Sequence, residues 1–186
     1  MAQWKTIGPL ALAALALLPL GALGAFAYIK SGIFNVGASK PHTKLTQWVT
    51  EETMTHSIRS HAKGMAAPPS VSAAQVVRGF CAYEAHCVAC HGAAAVARQR
   101  WAGGMEPQPP YLLDAPRKWR PRELFWIVRN GIKMTGMPSW RESLSDAEIW
   151  AVVGWIEASA QMPPQTYAAW RKAGVCGASA GEPLPH

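Results

Sequence analysis

The chain has 186 residues, of which 49% are hydrophobic and 16% are charged, and its formal net charge is +7. This length permits one domain with appendages rather than several large domains. The positive charge alone does not indicate nucleic-acid binding, because no segment has the pattern of a nucleic-acid-binding module.

The N-terminal segment from Ile7 to Ile29 contains no charged residue. As a helix it would extend about 34 Å, which is enough to cross a hydrocarbon core of about 30 Å. A cleaved signal peptide has a shorter apolar core of about 7 to 15 residues, although Ala25-Phe26-Ala27 would serve as a cleavage site. The sequence therefore predicts that residues 1–30 form an uncleaved membrane anchor.

Residues 31–71 carry Gly, Ser, Pro and scattered charges, and this composition is typical of a tether. Within the tether, Leu45, Trp48 and Val49 recur at helical spacing and favour a short helix near Thr46 to His61. We expect this helix to be a spacer that lies on the following domain or on a partner subunit.

A compact all-α domain is predicted over residues 72–162. Its first helix begins at the capping box Ser72 to Gln75, and its last helix begins at a second capping box, Ser145 to Glu148. A middle helix is predicted to begin at Pro121 and to end just before Gly131, because proline favours the first helical position and glycine commonly follows the last one.

The segment Cys87-Val88-Ala89-Cys90-His91 has the pattern C-x-x-C-H, which is the covalent attachment site of a c-type haem. Two thiols can add to the haem vinyl groups, and the adjacent histidine is then placed to bind the iron. The same residues can also serve thiol redox or zinc chemistry. His86, beside the motif, is expected to be a surface residue.

A short loop bounded by Gly and Pro, from Gly131 to Trp140, supplies a thioether where a sixth iron ligand would be expected. Both Met134 and Met137 lie on this loop, and their position alone leaves either as the candidate ligand.

The residues from Gly79 to Gly92 resemble the G-x-x-x-Y-x-x-x-C-x-x-C-H-G start of class I monohaem cytochromes c, and the resemblance spans roughly Ser72 to Ala160. It implies a small all-helical haem domain with one covalent haem c attached through Cys87 and Cys90. It also implies that the first and last helices of the domain cross near the haem.

The resemblance further implies His91 and Met137 as axial ligands, because the family's axial methionine is commonly followed by proline, as Met137 is. Members of the family often use a proline-containing segment to orient the histidine, and Pro109 and Pro110 are the candidates. Arg98, Arg100 and Trp101 are candidates for contacts with the haem propionates.

The function implied is one-electron transfer rather than catalysis, because a histidine and a thioether leave no open iron position. The resemblance places the haem domain on the periplasmic side of a bacterial cytoplasmic membrane. The expected partners are a quinol-oxidising complex, a terminal oxidase or a periplasmic dehydrogenase, of which the chain would be the cytochrome subunit. The alternatives are a haem sensor or peroxidase-like protein with a labile methionine, and a thiol oxidoreductase or zinc module.

Three further features carry expectations. Cys81 and Cys176 are left over from the motif, and the sequence leaves a disulfide between them open, because it does not bring their α-carbons within about 7 Å. Residues 163–186 are expected to form an extended tail. Four cationic residues lie close together and can steer an acidic partner, or equally contact anionic lipid or solvent: Arg117, Lys118, Arg120 and Arg122.

Overall fold

In the computed structural model, which describes residues 4–66 and 68–179, the chain divides into two compact units, Met1–Lys40 and Pro41–His186. The first unit contains helix α1, Trp4–Lys30. The sequence predicts a helix here, and a helix is present. Among the described residues, however, no helix is both long and apolar enough to cross a membrane.

The second unit begins with helix α2, Lys44–Ala62, which starts at Thr43, whose side chain accepts a hydrogen bond from the Thr46 amide. Its C-terminal part packs against helix α6, Pro121–Asn130, and buries Ile58. The ring of His61 also lies 5.6 Å from that of Trp126. The segment expected to be a tether thus includes a helix that is part of the compact unit.

Helix α3, Ala73–His86, and helix α7, Asp146–Ser159, form the centre of this unit and begin at the two predicted capping boxes. They cross at Gly79, where a Cβ atom would lie 1.9 Å from the carbonyl oxygen of Ala151. Only a residue without a side chain permits this approach. The core around the crossing is mainly apolar and includes Phe80, Val152 and Trp155.

The shorter elements position the candidate site. Helix α4, Val88–His91, is a single turn that follows α3 directly, and helix α5, Ala115–Lys118, precedes α6. Two 3-10 helices, Arg100–Gly104 and Leu112–Asp114, lie between α4 and α5. In the described part of the chain all regular elements are helical, so the predicted all-α class is confirmed.

The C-terminal segment differs from the expected extended tail. It forms helix α8, Pro164–Lys172, and helix α9, Val175–Ser179, while residues 180–186 lie outside the described part of the chain. Tyr167 is buried, and its ring lies 5.7 Å from that of Phe80. The segment is helical because its aromatic side chains cover the core at α3 and α7.

A disulfide joins Cys81 on α3 to Cys176 on α9, with the two α-carbons 5.3 Å apart. Helix α8 is also linked to α3, since the Tyr167 hydroxyl donates a hydrogen bond to Glu84. Arg171 forms an ion pair with the same carboxylate at 2.9 Å. The disulfide that the sequence leaves open is therefore present, and it fastens the C-terminal helices to the domain.

Candidate haem site

The C-x-x-C-H motif folds as one helical turn at the end of α3. The Cys87 amide donates to Tyr83 O at 2.8 Å, and the His91 amide donates to Cys87 O at 2.9 Å. Residues three and four positions apart in a helical turn lie on the same side. Cys87, Cys90 and His91 are therefore presented together, as attachment of one haem through two thioethers and one imidazole requires.

Cys87 and Cys90 are not joined to each other. Burial, together with the charge of Cys90, raises the pKa of the Cys87 thiol to about 12. Cysteines that attack disulfides instead have a lowered pKa. Within the described residues, no group of three or more His, Cys, Asp or Glu side chains is arranged to bind a metal ion. The raised pKa of Cys87 thus disfavours the thiol-redox interpretation.

His91 is buried, and its Nδ1 atom lies 2.8 Å from the carbonyl oxygen of Pro110. A carbonyl oxygen only accepts hydrogen bonds, so Nδ1 carries the proton and Nε2 has a free lone pair. Burial lowers the pKa of His91, and the nearby charge of Arg98 lowers it further, against the opposing effect of the Pro110 hydrogen bond. The structure therefore presents a neutral imidazole with the nitrogen suited to iron.

The segment that contains Pro110 is itself supported by Arg98. The Arg98 guanidinium donates to the carbonyl oxygen of Pro109 and lies 4.0 Å from the centre of the Tyr111 ring. Arg100 and Trp101 lie on the surface of the first 3-10 helix, with Trp101 57% exposed. Their contacts with haem propionates remain predictions.

The methionine loop is held by contacts within itself and to the end of α6. Gly131 has φ of 66°, and a Cβ atom there would lie 2.5 Å from the Pro138 carbonyl carbon. The Ile132 amide donates to Met137 O at 3.2 Å, and the Met137 amide donates to Thr135 Oγ1 at 3.1 Å. The loop backbone around Met137 is thereby fixed.

The two methionines of this loop have different surroundings. Met134 is 95% exposed, whereas Met137 is half-buried and packs against the core that contains Cys87. A ligand that must reach iron inside a dry pocket has to come from the buried side. The geometry thus favours Met137, the residue that the family resemblance implies.

Two site residues were not assigned a role from the sequence. A Cβ atom at Gly136 would lie 2.9 Å from both Sδ and Cε of Met105, so this thioether rests on the methionine loop. Trp140 lies at the end of the loop, with its ring 5.0 Å from that of His86, which is exposed as expected. Neither contact is visible in the local sequence pattern, because each joins separate segments.

Trp140 also tests whether this site fits a haem. Its indole Nε1 is buried and, within the described residues, has no hydrogen-bond partner. Buried donors without a partner are rare and costly. Trp140 lies at the end of the methionine loop, so a group bound at this loop can supply the missing acceptor. The donor set of His91, Met137 and two cysteines fits a haem.

Comparison with known proteins agrees with this site. Residues 74–156 match the family described as cytochrome c oxidase, cbb3-type, subunit III. No curated protein matches the chain. Among solved structures, a chain of the reducing HAO-like protein complex of Kuenenia stuttgartiensis aligns with a TM-score of 0.46 and 21% identity, over 52% of this chain and 48% of that chain. With the motif, the fold and the family match in agreement, residues 74–156 of this chain form a c-type cytochrome domain, which implies a covalently bound haem c.

Proposed function

We propose that this cytochrome is a one-electron carrier whose haem iron is bound by His91 and Met137. The observation that carries the proposal is the fixed geometry on both sides: His91 is oriented by the carbonyl oxygen of Pro110, and Met137 lies on a loop braced at Gly131. When bound, the haem supplies an iron that cycles between ferrous and ferric states. The chain supplies two ligands that leave no open position, so electron transfer is favoured over substrate turnover.

The chain's own residues also set the properties of that carrier. A thioether ligand favours ferrous iron and raises the reduction potential. The hydrogen bond from His91 to Pro110 prevents rotation of the imidazole. Neither contribution requires a conformational change, and this suits a protein that exchanges electrons and releases no product.

Membrane attachment through the uncharged segment Ile7–Ile29, with the haem domain facing the periplasm, is part of the same proposal. Its support is the length of that uncharged run together with the c-type haem, since bacterial cytochromes of this kind receive their haem outside the cytoplasmic membrane. The electron partners proposed are a quinol-oxidising complex, a terminal oxidase or a periplasmic dehydrogenase. The matched family is named for an oxidase subunit, and this favours the oxidase.

A pair of methionine variants tests the axial ligand and the carrier function together. Met137→Ala should retain covalent haem but lose the long-wavelength methionine band of the ferric spectrum, become high-spin and have a lower reduction potential. Met134→Ala is the matched control and should leave all three unchanged, because its side chain is 95% exposed. Loss of the band in Met134→Ala instead would contradict the assignment.

Carbon monoxide binding by the unmodified ferrous protein would indicate an open iron and favour a sensor or peroxidase-like role.

Membrane attachment is tested by fractionating cells that express the full chain with a c-type maturation system. We expect haem-staining protein in the membrane fraction, resistant to high salt and released by detergent. Leu18→Arg, which places a charge in the uncharged run at a cost of about 2.5 to 3.5 kcal/mol, should weaken this attachment. Full-length, haem-loaded protein in the soluble fraction would refute the anchor and leave the carrier function intact.

A further inference from the structure

A cationic cleft lies between helix α2 and the segment that leads into α6, and it has a volume of about 450 Å³. Two of its cationic residues come from the end of α2 and the residue after it, and three come from the other side: Arg59, Lys63, Lys118, Arg120 and Arg122. The cleft combines residues that are far apart in the sequence. It therefore extends the basic run of residues 117–122 into a concave surface.

The positive charge of this cleft is largely uncompensated. Lys118 is paired with Glu51 at 2.8 Å, whereas the other four cations form no ion pair within the described part of the chain. The lining contains one acidic residue, Glu123, whose Oε2 accepts a hydrogen bond from the Arg120 amide at 2.8 Å, so four unpaired cations share the cleft with one carboxylate. Like charges gathered in a cleft raise the local potential and attract anions.

The start of α6 is poorly suited to a bound phosphate. Pro121 has no N–H to donate, the Glu123 amide already donates to Arg120 O at 2.9 Å, and the Glu123 carboxylate lies at the helix start. A phosphate at a helix N-terminus needs free backbone N–H groups and no competing anion. Recognition must therefore come from side chains.

Those side chains are long and mostly exposed, and they come from opposite sides of the cleft. This arrangement suits several carboxylates spaced along a chain better than a single compact anion. We propose that the cleft binds an acidic polypeptide segment of a partner protein. The α2 side of the cleft lies outside the family match at residues 74–156.

Binding of labelled hexaglutamate to the haem-loaded protein, measured by fluorescence anisotropy at several salt concentrations, tests the proposal. The double variant Arg59→Gln/Arg122→Gln should bind about tenfold more weakly and show a smaller salt dependence. The matched control Arg78→Gln/Lys172→Gln removes the same charge from exposed residues outside the cleft, and its affinity should change less than about threefold. Circular dichroism and the haem spectrum verify folding, and Lys63→Gln provides a second cleft variant if the first is unstable.

The remaining outcomes would each overturn the proposal. Equal losses of affinity for hexaglutamate in the cleft and control variants would show that binding depends only on the net charge of the protein. Failure of hexaglutamate to bind, together with cleft-dependent binding of pyrophosphate or of phosphatidylglycerol vesicles, would identify a phosphate site instead. None of these results bears on the axial ligands, which the spectra report separately, so the carrier function and the docking site can fail independently.

Discussion

Removal of the Cys81–Cys176 disulfide is the change whose effect on stability is most directly calculated from the structure. The bond joins residues 95 positions apart and fastens α9 to α3. A cross-link that closes a loop of about 100 residues lowers the entropy of the unfolded chain by an amount worth about 4.7 kcal/mol at 25 °C, and typical measured values are about 2 to 4 kcal/mol. We expect Cys81→Ala/Cys176→Ala to lower the free energy of unfolding by about 3 to 4 kcal/mol.

The assay is urea denaturation of the haem-loaded protein, followed by circular dichroism and by Trp fluorescence. Dithiothreitol should lower the midpoint of the unmodified protein to that of the double variant, because the thioether links to haem are not reducible. Dithiothreitol also reduces haem iron, so the double variant treated with the same reagent is the control for that effect. A loss below about 1 kcal/mol, or an equal response of both proteins to the reagent, would refute the reasoning.

Three further predictions concern the haem site. Gly131→Ala should displace the methionine loop, because its Cβ atom would lie 2.5 Å from the Pro138 carbonyl carbon, and the ferric methionine band should weaken. Tyr83→Phe removes the buried hydrogen bond to Gly92 O, 2.6 Å long, and should cost about 1 to 3 kcal/mol in urea denaturation with an unchanged spectrum. Trp140→Phe should keep methionine ligation and lower the stability of the haem-loaded protein by about 1 to 3 kcal/mol, because the buried N–H gains an acceptor when the haem is bound; higher stability would instead show that the N–H is unpartnered in the loaded protein.

Local signals in the sequence were sufficient to predict the helices whose ends are marked by capping residues, proline or glycine. Both capping boxes form, with Gln75 accepting from the Ser72 amide at 2.8 Å and Glu148 accepting from the Ser145 amide at 2.8 Å. The middle helix likewise begins at Pro121 and ends before a glycine. Capping depends on residues within one turn of the helix, so it can be predicted from the sequence without knowledge of the fold.

The C-terminal segment shows where such signals fail. Its Gly, Ala and Pro content indicates an extended tail, yet Tyr167 and Trp170 pack on Phe80, with ring centroids 5.7 Å and 5.4 Å away. Short helices are marginal in isolation and owe their stability to tertiary packing. The disulfide adds a constraint that spacing alone does not reveal, because it depends on where α9 meets α3.

The haem site contains a coupling of the same non-local kind, in the segment from Met105 to Pro110. At one end, the Met105 thioether lies against Gly136, next to Met137, the proposed axial ligand, and at the other, the Pro110 carbonyl accepts a hydrogen bond from His91. The sequence presents the two ligands as independent features of separate motifs. In the fold they share one support only a few residues long, so a displacement of that support would alter histidine orientation and methionine position together. The histidine side and the methionine side of the site are therefore better regarded as one unit, in which a change at Met105 reaches the methionine loop through its contact with Gly136 and reaches His91 through the backbone to Pro110.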